Sequence, residues 1–167
     1  SDPCPTSRQY FSNCYIEGHV DFIFGDSKAF FERCRIHAIA HPEILITAHA
    51  RTAPDQDKAF VFNNCTVTGE KGAERIYFGR PWRDYAAVIF MNTKVEGDLD
   101  PQGWREWTPG KTDRLKLAYY AEFNTSGRNS DMSQRQSHTK ILSAAEAQRW
   151  SLSAFLAGAD GWNPAAM

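Results

Sequence analysis

Two short segments about sixty residues apart hold the side chains best suited to chemistry, Val20-Asp21-Phe22-Ile23-Phe24-Gly25 and Gly79-Arg80-Pro81-Trp82. The first sets one carboxylate among apolar and aromatic neighbours, where desolvation raises a pKa and an adjacent cation lowers it again. Asp21 in such a place can act as a nucleophile that forms an acyl anhydride, or as a general base. The bland reading is an aspartate that accepts backbone hydrogen bonds at a turn. Arg80 would hold Asp21 ionised and oriented through charge-assisted hydrogen bonds, or lie on the surface over Trp82. Trp82 and Trp104 could stack against sugar rings or belong to the core, where Trp is often largely buried. A carboxylate, a fixed cation and an aromatic wall suit a carbohydrate-processing site, provided the fold brings them together.

The elements that must do so are legible as a repeat. Tyr10-Phe11-Ser12-Asn13-Cys14-Tyr15-Ile16, Phe30 to Ile36, Val61 to Val67 and Ile89 to Val95 share one pattern. Each reads apolar, Phe, two mostly polar residues, Cys or Thr, any residue, then Ile or Val. The segments start 20, 31 and 28 residues apart, a range that suggests a solenoid whose coils bury a shared core. An antiparallel sandwich could also supply four similar strands, but the repeated Phe and Cys/Thr positions favour a parallel β-helix. A second strand follows in each coil: Val20 to Phe24, Ile44 to Ala48, Ile76 to Arg80 and Gly103 to Trp107. In this register Asp21 and Arg80 share a sheet two coils apart, on the order of 10 Å between backbones, within reach of an extended arginine.

Stacked coils also place Cys14 beside Cys34, within the Cα separation that a disulfide accepts. The expectation is a Cys14–Cys34 bridge; two buried thiols packing as small hydrophobes are the alternative. Cys65 reads as a buried thiol, and Cys4 has no assigned place. Pro54 to Lys58 and Thr68 to Gly72 read as exposed turns, Ala118 to Phe123 as a further strand, and Ser126 to Gln136 as a polar surface loop. Ser143 with Glu146 three residues on forms a capping-box pattern. It opens a helix through Leu156 that Gly158 would stop, covering the end or one face of the solenoid.

Composition narrows the class. The 167 residues suit one domain spanning 1–167, 42% hydrophobic and 13% aromatic, with a formal net charge of −1. That balance gives no electrostatic reason to expect nucleic acid or an anionic membrane as partner. No apolar run approaches the ~18 residues of a membrane span. None of the four cysteines forms a C-x-x-C pair, the five histidines show no ligand spacing, and no metal site is expected. Asp26 reads as a turn residue.

Taken together, these residues resemble the pectin methylesterases, or pectinesterases. The resemblance is carried by Asn13-Cys14-Tyr15-Ile16 with Gly18, Val20 to Gly25, Gly79 to Trp82, and Pro101 with Gly103-Trp104 and Glu106-Trp107. Tyr119-Tyr120 with Glu122-Phe123 completes it, so the match runs from about residue 8 to residue 158. It implies an all-β, right-handed parallel β-helix that de-esterifies pectin (homogalacturonan), yielding methanol and free galacturonate, and a secreted, extracellular or periplasmic location. It also implies Asp21 as nucleophile, Arg80 as the residue orienting it, Phe24, Tyr77, Trp82 and Trp104 lining the cleft, and no cofactor.

One part of the family pattern is not matched. The family's general acid and oxyanion glutamines fall upstream of the segment matching Asn13 to Gly25, in a Gln-Asp-Thr-Leu-type motif. Asp2, followed by Pro3-Cys4-Pro5, does not fit that motif. The expectation is therefore a β-helix truncated on its N-terminal side, completed by a missing segment or a second chain, with little esterase activity alone. A non-catalytic carbohydrate-binding or structural β-helix is the alternative. A lyase or polygalacturonase would want a calcium-binding acidic cluster or a set of close aspartates, and neither surrounds Asp21.

Overall fold

A computed structural model describes residues 7–166 of the chain. Three successive coils each contribute three strands. The first holds β1 (Arg8–Ser12), β2 (Tyr15–Gly18) and β3 (Val20–Gly25). The second holds β4 (Lys28–Glu32), β5 (Arg35–Ala38) and β6 (His41–His49), and the third β7 (Phe60–Asn63), β8 (Thr66–Gly69) and β9 (Ala73–Gly79). Shorter pieces continue the spiral as β10 (Ala87–Met91), β11 (Lys94–Val95), β12 (Tyr119–Phe123), β13 (Ser126–Gly127) and β14 (Lys140–Ile141). All pairings are parallel, and the strands stack into three sheets: β1-β4-β7-β10-β12-β14, β2-β5-β8-β11-β13 and β3-β6-β9. This is a parallel β-helix.

The sequence repeat is the register of the first sheet. Tyr10, Phe30, Val61 and Ile89 are successive partners, as are Phe11, Phe31, Phe62 and Phe90. The repeated phenylalanines form one inward stack, with ring centroids 4.8, 4.4 and 4.3 Å apart and planes within 8° of parallel. Identical rings on adjacent coils meet at the strand spacing, so each coil extends the apolar column left by the one before. The outward residues Phe30, Val61, Ile89 and Ala121 are buried under a second cluster built from Trp150, Phe155 and Leu156.

The Cys/Thr position marks a corner between the first two sheets. The residue before it has a left-handed backbone in every coil: Asn13, Arg33, Asn64, Asn92 and Asn124 have φ between 49° and 56°. Asn is among the side chains that best tolerate this region. The residue after the bend turns inward and donates to the carbonyl two residues back: Cys14 Sγ to Ser12, Cys34 Sγ to Glu32 and Cys65 Sγ to Asn63 at 3.5 Å, and Thr93 Oγ1 to Met91 at 3.2 Å. The expected Cys14–Cys34 disulfide is therefore corrected. Cys14, Cys34 and Cys65 are free thiols: each sulfur donates to a carbonyl of its own coil, and those of Cys34 and Cys65 also meet Phe11 O and Phe31 O of the coil before. Cys4 lies outside the described residues.

Three other expectations change in detail. The capping box is present, with Ser143 Oγ accepting from Glu146 N and the Glu146 carboxylate accepting from Ser143 N. The expected single helix is nevertheless two, α1 (Ala144–Gln148) and α2 (Leu152–Leu156), because Ser151 starts a new cap. Both lie against the outer face of the first sheet, where Phe155 meets Phe30 and Trp150 meets Tyr119. The expected turn at Thr68 begins inside β8, where Thr68 is buried. The expected strand at Gly103–Trp107 pairs with the third sheet only through the bridge Gly79–Trp104.

Candidate active site

The site is built on the third sheet. Val20, Leu45 and Tyr77 are successive partners, so β3 and β9 lie on either side of β6. The register of β3 against β6 slips between Val20 and Ile23. Asp21, at φ +54°, sits in that bulge. The slip lets Phe22 and Ile23 both pack on the core while Asp21 and Phe24 both reach the outer cleft, which regular alternation would forbid. Left-handed backbone at a non-glycine residue is the kind of strain that clusters at functional sites.

Arg80 is delivered by a close approach. A Cβ at Gly79 would stand 2.0 Å from Thr47 Oγ1 and 2.8 Å from Thr47 O. Only glycine lets β9 come this near β6, where Thr47 Oγ1 donates to Phe78 O at 2.8 Å and Arg80 N to Thr47 O at 3.0 Å. From there the guanidinium spans back to β3. Arg80 Nε donates to Asp21 Oδ1 at 2.9 Å and Nη2 to Oδ2 at 2.5 Å, a two-point clamp on a carboxylate that is 21% exposed. One face of the guanidinium is covered by Trp107, whose ring centroid is 4.2 Å away.

Asp21, Phe24, Ala48, Trp82 and Trp107 line a cleft of about 290 Å³. Phe24 is 65% exposed and meets the Trp82 ring edge-on at 6.1 Å. A fixed carboxylate thus opens onto apolar walls that can stack on sugar faces. The arrangement suits nucleophilic attack on a bound ester, with the arginine restricting the carboxylate to one orientation.

The Pectinesterase family model matches residues 4–159. The chain belongs to the pectinesterase family. Probable pectinesterase A of Aspergillus fumigatus is 37% identical over 159 residues, covering 93% of this chain and 45% of that protein. Putative pectinesterase 11 of Arabidopsis thaliana is 36% identical over 158 residues, covering 95% and 44%. Among solved structures, the pectin methylesterase from carrot superposes with a TM-score of 0.85 at 30% identity, over 93% of this chain and 52% of that one. Pectin methylesterase from Aspergillus niger follows with 0.72 at 31% identity, over 96% and 51%. The chain spans about half the length of the relatives it matches.

Within this pectinesterase-family chain, Asp21, Arg80, Phe24 and Trp82 meet at one cleft. Two expected cleft residues do not join them. Trp104 is fully buried, stacked on Tyr120 at 4.1 Å and donating from Nε1 to Glu122 Oε2 at 3.3 Å. After its bridge to Gly79 it points into the core and extends the aromatic column. Tyr77 is 7% exposed, its hydroxyl donating to Asp100 Oδ2 at 3.0 Å, and burial beside that carboxylate pushes the phenol pKa up to about 12. The aromatic that takes Trp104's place is Trp107, three residues on. Among the described residues no group of three or more His, Cys, Asp or Glu side chains could hold a metal, and no helix is long and apolar enough to cross a membrane.

Proposed function

We propose that this chain carries the nucleophile half of a pectin methylesterase active site. Asp21 attacks the methyl-ester carbonyl of an esterified galacturonate, and the tetrahedral adduct expels methoxide, which takes up a proton and leaves as methanol. Water then attacks the acyl anhydride, returning Asp21 as a carboxylate and releasing the free uronate. Arg80 keeps Asp21 aimed, while Phe24, Trp82 and Trp107 hold the sugar rings. The observation that carries this reading is the two-point Arg80–Asp21 clamp at the floor of an aromatic-walled cleft.

Among the described residues, Asp21 is the one carboxylate lining that cleft, and no amide side chain lines it. The proton donor and the oxyanion donors accordingly come from another segment or from a second chain. One oxyanion donor is worth ~3–4 kcal/mol of transition-state stabilisation, so these 167 residues alone turn over slowly. A pectin-acting enzyme meets its polymer outside the cytoplasm, so the proposed location is secreted, extracellular or periplasmic.

Methanol release from highly esterified pectin tests the reading. Asp21→Asn is expected to abolish release and retain pectin binding; continued turnover would overturn Asp21 as nucleophile. Binding with no turnover in any form of the protein would favour a carbohydrate-binding β-helix instead. Release by these residues alone at an ordinary enzymatic rate would overturn the half-site.

A further inference from the structure

The loop after the Gly79–Trp104 bridge winds around one carboxylate. Glu106 Oε1 accepts from Trp107 N at 2.9 Å and from Thr112 Oγ1 at 2.8 Å, and Oε2 accepts from Leu115 N at 3.1 Å. Thr112 Oγ1 also accepts from Thr108 N at 2.9 Å, and Thr108 O accepts from Lys111 N at 2.9 Å and Thr112 N at 3.0 Å. The loop is closed at its base by the side chain that precedes it. Burial pushes the Glu106 carboxyl up, but the hydrogen bonds from Leu115, Trp107 and Thr112 outweigh burial and leave it below the ordinary carboxylate value. An acceptor with two oxygens is what three convergent donors require.

The loop reaches both tryptophan walls. At its start, Trp107 covers Arg80, and its carbonyl accepts from Arg80 Nη1 at 3.5 Å and Arg105 Nη1 at 3.3 Å. At its end, Arg114 Nη1 donates to Trp82 O at 2.7 Å and Pro81 O at 3.4 Å, and Arg114 Nε pairs with Asp84 at 3.2 Å. Neither Glu106 nor Arg114 lines the cleft. Their influence on it runs through the two indoles.

We propose that Glu106 is a positioning residue for saccharide recognition, its carboxylate fixing the loop that seats Trp107 over Arg80 and tethers the Trp82 backbone. The inference rests on the cleft being the sugar site. A loop clasp with only a structural role would lower stability without acting through Trp107. Glu106→Gln keeps one acceptor and turns an amide N–H2 toward the remaining donors, so the seat of Trp107 is loosened without emptying the site.

The test is calorimetric binding of a methyl-esterified oligogalacturonate to the wild type, Glu106→Gln, Trp107→Ala and the double variant. Glu106→Gln is expected to weaken binding about tenfold. In the double variant the loss is expected to fall short of the product of the two single losses by about threefold or more, the mark of residues acting together. Hydrogen exchange supplies a readout free of ligand: the Trp107 and Leu115 amides should lose protection while those of β6 and β9 keep theirs. If Glu106→Gln does not fold, Thr112→Val removes one donor to the same carboxylate, with the same pattern expected. Losses that multiply in full, or unchanged exchange at Trp107, overturn the inference while leaving the cleft as the sugar site. A wild type that binds no oligogalacturonate overturns the sugar site, and this inference with it.

Discussion

Arg80 holds Asp21 from two coils away, Nε to Oδ1 at 2.9 Å and Nη2 to Oδ2 at 2.5 Å, with the Trp107 ring lying over one face of the guanidinium. The pair exists only because β3 carries a bulge that turns Asp21 outward and Gly79 lets β9 approach β6. Two local irregularities, placed two coils apart, create one site. Everything else in the third sheet is regular parallel pairing.

Arg80→Lys should separate charge from geometry. Lysine keeps the positive charge but has no fork to grip both carboxylate oxygens and no plane to lie against Trp107. With Asp21 free to rotate, we expect kcat to fall by about 10²-fold, the usual cost of a misplaced reacting group. KM should change far less, since the sugar walls are untouched. Methanol release under saturating pectin measures this, with circular dichroism to confirm the fold. A lysine variant as fast as the wild type would leave the clamp without a catalytic role.

Trp104 and Trp82 should part company on stability. Trp104→Ala empties a fully buried site stacked on Tyr120 and strips the buried Glu122 of a donor. The expected loss is about 3–5 kcal/mol in urea unfolding. Trp82→Ala, in the cleft wall, should weaken oligosaccharide binding with a much smaller effect on unfolding. The reverse pattern would mean that Trp104, as the sequence suggests, is the sugar platform after all.

Much of this fold is legible in the sequence. Tyr10, Phe30, Val61 and Ile89 fall into register because each coil must present the same inward Phe and the same cornering Cys or Thr, and such repetition is visible in one dimension. The meeting of Asp21 and Arg80 follows from the same register. What is not visible depends on which way one side chain turns. Trp104 and Trp107 sit in a stretch with a single bridge, so no strand alternation tells inside from outside. The thiols line up as the repeat requires, yet they stay free and donate to backbone carbonyls. Arg135, within a segment that reads as surface loop, instead pairs with Glu122 at 2.8 Å, with both side chains buried. That partner lies on β12, where Glu122 takes the next place in the column of phenylalanines.

His49 predicts a pH dependence of stability. Its Nδ1 accepts from Ala87 N at 3.0 Å, which leaves Nε2–H to donate toward Ser27 O at 3.3 Å, so the buried ring is held neutral. Burial lowers its pKa from 6.5 to about 4, with the nearby Arg51 and Lys58 charges adding to the shift and the Ser27 contact and Asp26 opposing it. The unfolded chain takes up this proton as pH falls through 6.5 and the native state does not until about 4. Over that window the unfolded state binds more protons, so stability drops as the pH is lowered; above it the contribution is constant. The shift corresponds to about 3 kcal/mol at most. Urea unfolding at about pH 7 and about pH 4.5 should show most of that loss in the wild type. His49→Gln, whose amide oxygen can still accept from Ala87 N, should be less stable at neutral pH yet lose visibly less on acidification. Equal acid sensitivity in the two proteins would assign the pH dependence to other groups and remove His49 as its source.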